Sequence, residues 1–272
     1  MSRHRTRTAW RVVSTGVLSV VLATTALADG RTRAAATKEH PLTAFLQAAE
    51  KSRAALAGVQ DYTAMFIKME VVRGKKFPHS MAMKFRSKPF SVYLYFTDKH
   101  KGRRVLYVEG QNGGKLLAKD GGLGAIVGTI ALLPDSRKAM EEGRYPITKI
   151  GVANMLDAVI EQWKQELNSP HVTTKVIDGS KLKPKDRRLP TIECTVLESE
   201  HAKPEKGVEF FRTRLYLDKK TNLPVRVEQY GFPKRSGRKP PLLAEYTYWD
   251  LKTNVGLKDI DFSRANPRYD LR

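Results

Sequence analysis

Residues 90–97 read Phe-Ser-Val-Tyr-Leu-Tyr-Phe-Thr, which alternates like a strand yet is apolar on both sides. Val92, Leu94 and Phe96 point one way and Tyr93 and Tyr95 the other. A strand with two apolar faces must be covered twice. A single sheet with one wet face is therefore excluded. The covers are helices or something bound.

The neighbouring segments share the period of two. Residues 62–72, 80–86, 104–109 and 115–119 read as further strands, with Met81, Met83 and Phe85 on one side of the second. Arg73-Gly74-Lys75-Lys76 and Gly110-Gln111-Asn112-Gly113-Gly114 are turns, so this part is a meander. Residues 171–177, 191–199, 208–218, 224–230 and 242–251 form a second β region. Its turns are basic and carry Pro or Gly.

Two segments change to helical spacing. Pro41 opens the first, with Leu42, Phe45, Leu46, Ala49 and Leu56 on one stripe and Gly58 as its C-cap. In the second, Val152, Leu156, Val159, Ile160, Trp163 and Leu167 make the apolar face. Thr148 is placed to cap it and Asn168-Ser169-Pro170 to stop it. Between them residues 121–134 are apolar but glycine-punctuated, a mobile flap or a buried connection. The fold class expected is α+β: one large curved antiparallel sheet, an open, incomplete β-barrel, with helices on its concave side.

The N-terminus reads as an export signal. Arg3, Arg5, Arg7 and Arg11 precede an apolar stretch from Val12 to about Leu22, then Ala26-Leu27-Ala28. That order is a secretory signal peptide over residues 1–28, cut after Ala28. Residues 29–40 are then a flexible leader, and 41–272 one β domain with a helical insertion at about 134–168. The product is expected to be soluble, and periplasmic or extracellular. The lone Cys194 cannot form an internal disulfide and reads as a small buried residue.

The formal net charge is +21. Such a surplus attracts polyanions; export makes nucleic acid the least suitable of them and anionic envelope material the best. Arg187, Arg188, Arg235 and Arg238 are the candidates for that contact. Solubility and protection of sheet edges explain the same charges.

Catalytic signatures are lacking. The six histidines show no metal-ligand spacing, and no nucleophile elbow occurs. Ser180-Lys181-Leu182-Lys183 fits a Ser-x-x-Lys pattern, but sits in a basic loop with no second motif. No cofactor or metal is expected.

Three segments carry a family resemblance: Val59 to Gly110, Arg144 to Gly151, and Tyr216 through Tyr248-Trp249-Asp250-Leu251 to Asp261-Phe262. They resemble an uncharacterised exported family typical of planctomycetes, the domain of unknown function numbered fifteen seventy-one. More distantly, the order is similar to the periplasmic lipoprotein carriers LolA and LolB. Lys88-Pro89, the aromatic strand, Glu109-Gly110, and then Tyr248, Leu251, Asn254, Phe262 and Pro267 follow that order. Lys88 stands where the carrier has a lid-closing arginine, and the basic stretch 178–188 is extra.

The resemblance implies a concave pocket holding acyl chains, and a lipid or acylated protein as partner. The pocket candidates are Met81, Met83, Phe85, Tyr93, Tyr95, Phe96, Tyr246 and Tyr248. Packing under the two helices accounts for the same side chains. The leading expectation is a non-enzymatic amphiphile binder. The rivals are a module docking on anionic surfaces with a filled core, and a hydrolase with carboxylates or a Ser-His pair converging in a cleft.

Overall fold

The computed structural model describes residues 39–235 and 237–271. The expected signal peptide and residues 29–38 of the leader lie outside the described residues. Within them, α1 (Thr43–Leu56) precedes β1 (Asp61–Val72), β2 (Lys75–Arg86), β3 (Ser91–Phe96), β4 (Arg104–Val108), β5 (Leu116–Lys119) and β6 (Ile130–Leu132). Then come α2 (Val152–Glu166), β7 (Val172–Leu182), β8 (Ile192–His201), β9 (Arg212–Asp218), β10 (Pro224–Tyr230) and β11 (Leu242–Thr253).

The strands form one antiparallel sheet in the order β6-β5-β4-β3-β2-β1-β11-β10-β9-β8-β7. Two meanders are joined where β1 pairs with β11, as Phe66 opposite Tyr248 and Glu70 opposite Ala244. The outermost strands β6 and β7 do not pair with each other, so the barrel stays open, in the α+β class expected.

Local chemistry explains several joints. Val72 pairs with Lys75 across a two-residue turn. Arg73 and Gly74 there both adopt positive φ, 48° and 77°, as the hairpin turn matching strand twist requires. The basic stretch 178–188 is not wholly a loop: β7 runs to Leu182, with a register shift between Ile177 and Ser180. Ser180 and Lys181 thus stand in an edge strand.

On the inner face α1 and α2 lie against the sheet. Phe45, Leu156, Val159, Ile160 and Trp163 join Tyr62, Phe66, Met81, Met83, Phe85, Leu94 and Tyr248 in one core. Trp163 is fully buried and donates its indole N–H to Ser199 Oγ at 3.0 Å. A buried Tyr or Trp needs such a partner.

The start of α2 differs from expectation. Thr148 does not cap it; it lies in a short 3-10 turn at Ile147–Lys149, and Gly151 holds the cap position without a side-chain bond. The orphan amides are met by tyrosines of the sheet instead. Gly151 N–H donates to Tyr248 Oη at 3.1 Å and Val152 N–H to Tyr62 Oη at 3.0 Å. Gly151 has φ 124°, and a Cβ there would lie 2.9 Å from the Phe85 ring. Only glycine fits this close approach.

The outer face of the first meander is covered by the C-terminal segment. Asn254, at φ 55°, starts it, with its side chain bonded to the Gln60 N–H and the Gly58 carbonyl. Asp61 then accepts from the amides of Gly256 and Leu257. Further on, Phe262, Tyr269 and Leu271 bury Tyr93, Leu106, Val108 and Leu117. Lys84–Asp261 at 2.5 Å, Arg86–Asp259 at 2.6 Å and Lys119–Asp270 at 2.9 Å rivet the segment down.

Cys194 lies in a separate outer cluster with Val196, Tyr216 and Trp249. Burial pushes its thiol up to about 12, which leaves it unreactive near neutral pH.

Candidate ligand cavity

A cavity of about 660 Å³ lies on the inner face, between the first meander, β11 and the near side of α2. Its apolar walls are Phe66 of β1, Met81 of β2, Leu94 and Phe96 of β3, Leu116 of β5 and Tyr248 of β11. Met155 and Val159 of α2 face them, and Ile147 and Ile150 close the side nearest the helix start. These side chains converge because period-two alternation puts them on one face.

The apolar run 121–134 contributes the remaining wall. It forms a 3-10 stretch at Gly122–Val127 and then the short edge strand β6. Ile126 and Val127 are 85% and 78% exposed, and Val127, Ile130 and Leu132 line the cavity. The run is therefore a cavity wall with solvent on its other side.

Charge gathers at one end. Lys68 and Glu70 continue the inward-facing positions of β1 after Phe66, towards the β1–β2 hairpin. Glu70 is 2% exposed and accepts from Tyr246 Oη at 2.6 Å, Lys68 Nζ at 2.8 Å and the Arg144 amide at 3.2 Å. Burial, then the charge of Glu70, raises the Tyr246 phenol far above its ordinary value.

His79, Arg103 and Glu142 line the same end. His79 Nε2 and His100 Nε2 lie 3.5 and 3.2 Å from Glu142 Oε2. Burial, reinforced by Lys68, lowers His79 to about 4, so its ring is neutral at neutral pH.

Of the eight pocket candidates, Met81, Phe96, Tyr246 and Tyr248 line the cavity. Met83 and Phe85 belong to the core beside it, and Phe85 stacks on Tyr62 at 4.6 Å. Tyr93 and Tyr95 are on the outer face, under or beside the C-terminal segment. Lys88 is exposed in the β2–β3 turn, away from the lining.

The four arginines do not form one patch. Arg187 and Arg188 sit on the β7–β8 loop, next to the strand ends paired as Leu182 with Ile192. Arg235 and Arg238 follow Tyr230, which pairs with Leu242 at the opposite end of the second meander. Arg188 is bound to Asp186 at 2.7 Å. Arg235 and Arg238 share their end with the exposed Arg73, Lys75 and Lys76 of the β1–β2 hairpin and with the charged end of the cavity.

Alternation along β1 announces Lys68 and Glu70 as inward-facing. Nothing local announces His79, His100 and Glu142, which come from three separate segments.

A Ser-His pair does occur elsewhere. Ser169 Oγ lies 3.5 Å from His201 Nδ1, and Glu166 Oε2 is 3.0 Å from His201 Nε2. All three are buried, Ser169 Oγ donates to Glu205 at 2.7 Å, and none lines the cavity. The arrangement ties the end of α2 to β8.

The fold is an open antiparallel sheet with helices and a part-apolar cavity on its inner face. The chain belongs to the DUF1571 family, described as proteins of unknown function, whose model matches residues 59–271. No curated protein matches the sequence.

Among solved structures the chain is similar to a DUF1329 family protein from Desulfovibrio piger: 15% identity, 83% of this chain and 98% of that one, TM-score 0.38. It is also similar to the lipoprotein LppX of Mycobacterium tuberculosis: 13% identity, 79% and 97%, TM-score 0.43. A LolA superfamily protein from Nitrosomonas europaea gives 11% identity, 80% and 96%, and TM-score 0.31.

Proposed function

We propose that the protein is an exported, non-enzymatic binding protein that holds the acyl part of a lipid or acylated protein in the inner cavity. The observation that carries this reading is the cavity itself. Its 660 Å³ falls within the about 300–1,000 Å³ usual for ligand sites, and one wall is Phe, Met, Leu and Val while one end is charged. Transfer of an acyl chain from water into such a space is worth about 0.8 kcal/mol per buried CH₂. Met81 and Met155 are adaptable walls that suit chains of varying length.

The charged end suits a polar headgroup, and the basic hairpin and loop around Arg73, Arg235 and Arg238 suit an anionic surface beside it. Arg187 and Arg188, at the far end, take no part. The rival docking reading, with a filled core, required no cavity of this size.

Organic extraction of the purified protein followed by lipid mass spectrometry should reveal a co-purifying amphiphile. A fluorescent fatty acid should bind the delipidated protein, and Ala118→Phe, which fills the cavity from β5, should weaken that uptake by roughly tenfold or more while leaving the fold intact. A protein that never carries an amphiphile and takes up no fatty acid would refute the proposal.

A further inference from the structure

His79 on β2, His100 in the β3–β4 turn and Glu142 in the segment leading to α2 meet at the charged end of the cavity. Each offers one ligand atom, and the three atoms lie within 4.8 Å of one another. The two distances to Glu142 Oε2, 3.2 Å from His100 and 3.5 Å from His79, are informative. In a tetrahedral zinc site with bonds of about 2.0–2.1 Å, neighbouring ligand atoms lie about 3.3 Å apart.

Hydrogen bonding accounts for the cluster only in part: Arg103 Nη1 donates to Glu142 Oε2, at a long 3.4 Å. His100 Nε2 is buried without a hydrogen-bond partner although a carboxylate oxygen is so close, and His79 Nδ1 is buried without one as well. Unpaired buried polar atoms of this kind are uncommon and call for an explanation.

The surrounding charge suits a cation. Lys68 and Arg103 are near: Lys68 is held by Glu70 at 2.8 Å, and Arg103 is held chiefly by Asp120 at 2.5 Å while also reaching Glu142 Oε2 at 3.4 Å. Asp98 adds a further carboxylate. Its Oδ2 accepts from the Ser80 amide at 2.6 Å, while its Oδ1 is buried without a partner.

The geometry points to a divalent transition-metal site of the zinc class, held by His79, His100 and Glu142, with its fourth position facing the cavity. Two imidazoles and a carboxylate form the donor set that zinc uses where it keeps a position open for an outside ligand. Nitrogen and oxygen donors without sulfur equally admit nickel, cobalt or copper. The outside ligand would be an anionic oxygen group reaching the charged end. Because His79 stands on β2, His100 in the β3–β4 turn and Glu142 on the cavity wall, the ion would pin that wall to the sheet and its turn.

The decisive test is calorimetric titration of the full chain, stripped with EDTA, with Zn²⁺ alone. Co²⁺ absorption should report tetrahedral coordination. One equivalent should bind the wild type, and His100→Ala and Glu142→Gln should each weaken binding by roughly tenfold or more. These positions are only partly buried, so both variants should remain folded, as circular dichroism will show. His171→Ala removes a surface His–Glu pair that lacks a third donor, and should change nothing. No uptake by the wild type, unaltered binding in His100→Ala and Glu142→Gln, or loss in His171→Ala instead would each overturn the assignment.

Discussion

On the outer face of β3, Tyr93 lies flat against Tyr269 with ring centroids 3.7 Å apart, and Phe262 and Leu271 complete a dry cover. On the inner face, Leu94 and Phe96 look onto a cavity of about 660 Å³. The side chains of the two faces are alike in kind and the covers are not. The outer cover is part of the same chain and is anchored by three ion pairs. The inner cover is α2 and its approach segment, which leave a gap. An apolar strand face therefore calls for a cover without naming it. Where the chain supplies one in full, the face is core; where it supplies one in part, the face becomes a site.

Removing the outer cover should have the largest effect. Phe262 is 2% exposed, so Phe262→Ala should cost about 3–5 kcal/mol in urea unfolding, the range for a buried Phe truncated in a packed core. A loss below about 1 kcal/mol would erase the contrast, because the outer face would then be no better packed than the inner one.

The inner face depends on a smaller number of polar contacts. Tyr62→Phe and Tyr248→Phe should each cost about 1–3 kcal/mol, since each leaves an amide at the start of α2 buried without an acceptor. Their effects should not add, as the two amides are adjacent. If both variants unfold like the wild type, the helix start is held by other contacts, and the tyrosines do not fix the cavity wall.

The smallest effect concerns the ion pair that rivets the outer cover. Burial alone would raise Asp261, but Lys84 and the Lys258 amide outweigh it and hold its carboxyl below the usual range. A lowered folded-state value means that this stabilisation is complete above the ordinary carboxylate range. It is lost as pH falls through the folded-state value. Asp261→Asn should therefore cost about 1 kcal/mol at neutral pH, allowing for the pair's partial exposure, and should flatten the acid limb of the stability profile. An unchanged acid limb would assign the pair no role in holding the cover.

Much of the fold was legible because it is written in local periodicity. The alternation in residues 80–86 and 90–97 located β2 and β3, and the three-to-four spacing from Val152 to Leu167 located α2. Terminal positions were less legible. The first strand residues after the 73–74 turn carry Lys and Pro, which hide the alternation of β2, yet Lys75 to Phe77 pair with β1. Thr148 had the right chemistry for a cap, but the helix begins later, where tyrosines from β1 and β11 accept from its amides. Tyr93 and Tyr95 were sorted to the correct opposite face from Phe96. Which of the two faces would hold a cavity had no local mark.

Sequence alone determined that the chain makes an antiparallel sheet with helices, that β3 needs two covers, and that basic residues collect in turns. Those properties follow from side-chain order along a strand or helix, which neighbouring residues dictate. Tertiary structure decided that the C-terminal segment is the outer cover and that Lys68 and Glu70 face a cavity. It alone brought His79, His100 and Glu142 together, and it put Arg187 and Arg235 at opposite ends. Each of these depends on pairing between segments remote in the chain, β1 with β11 above all. Such pairing is set by the total burial of apolar surface, which no local stretch of sequence expresses.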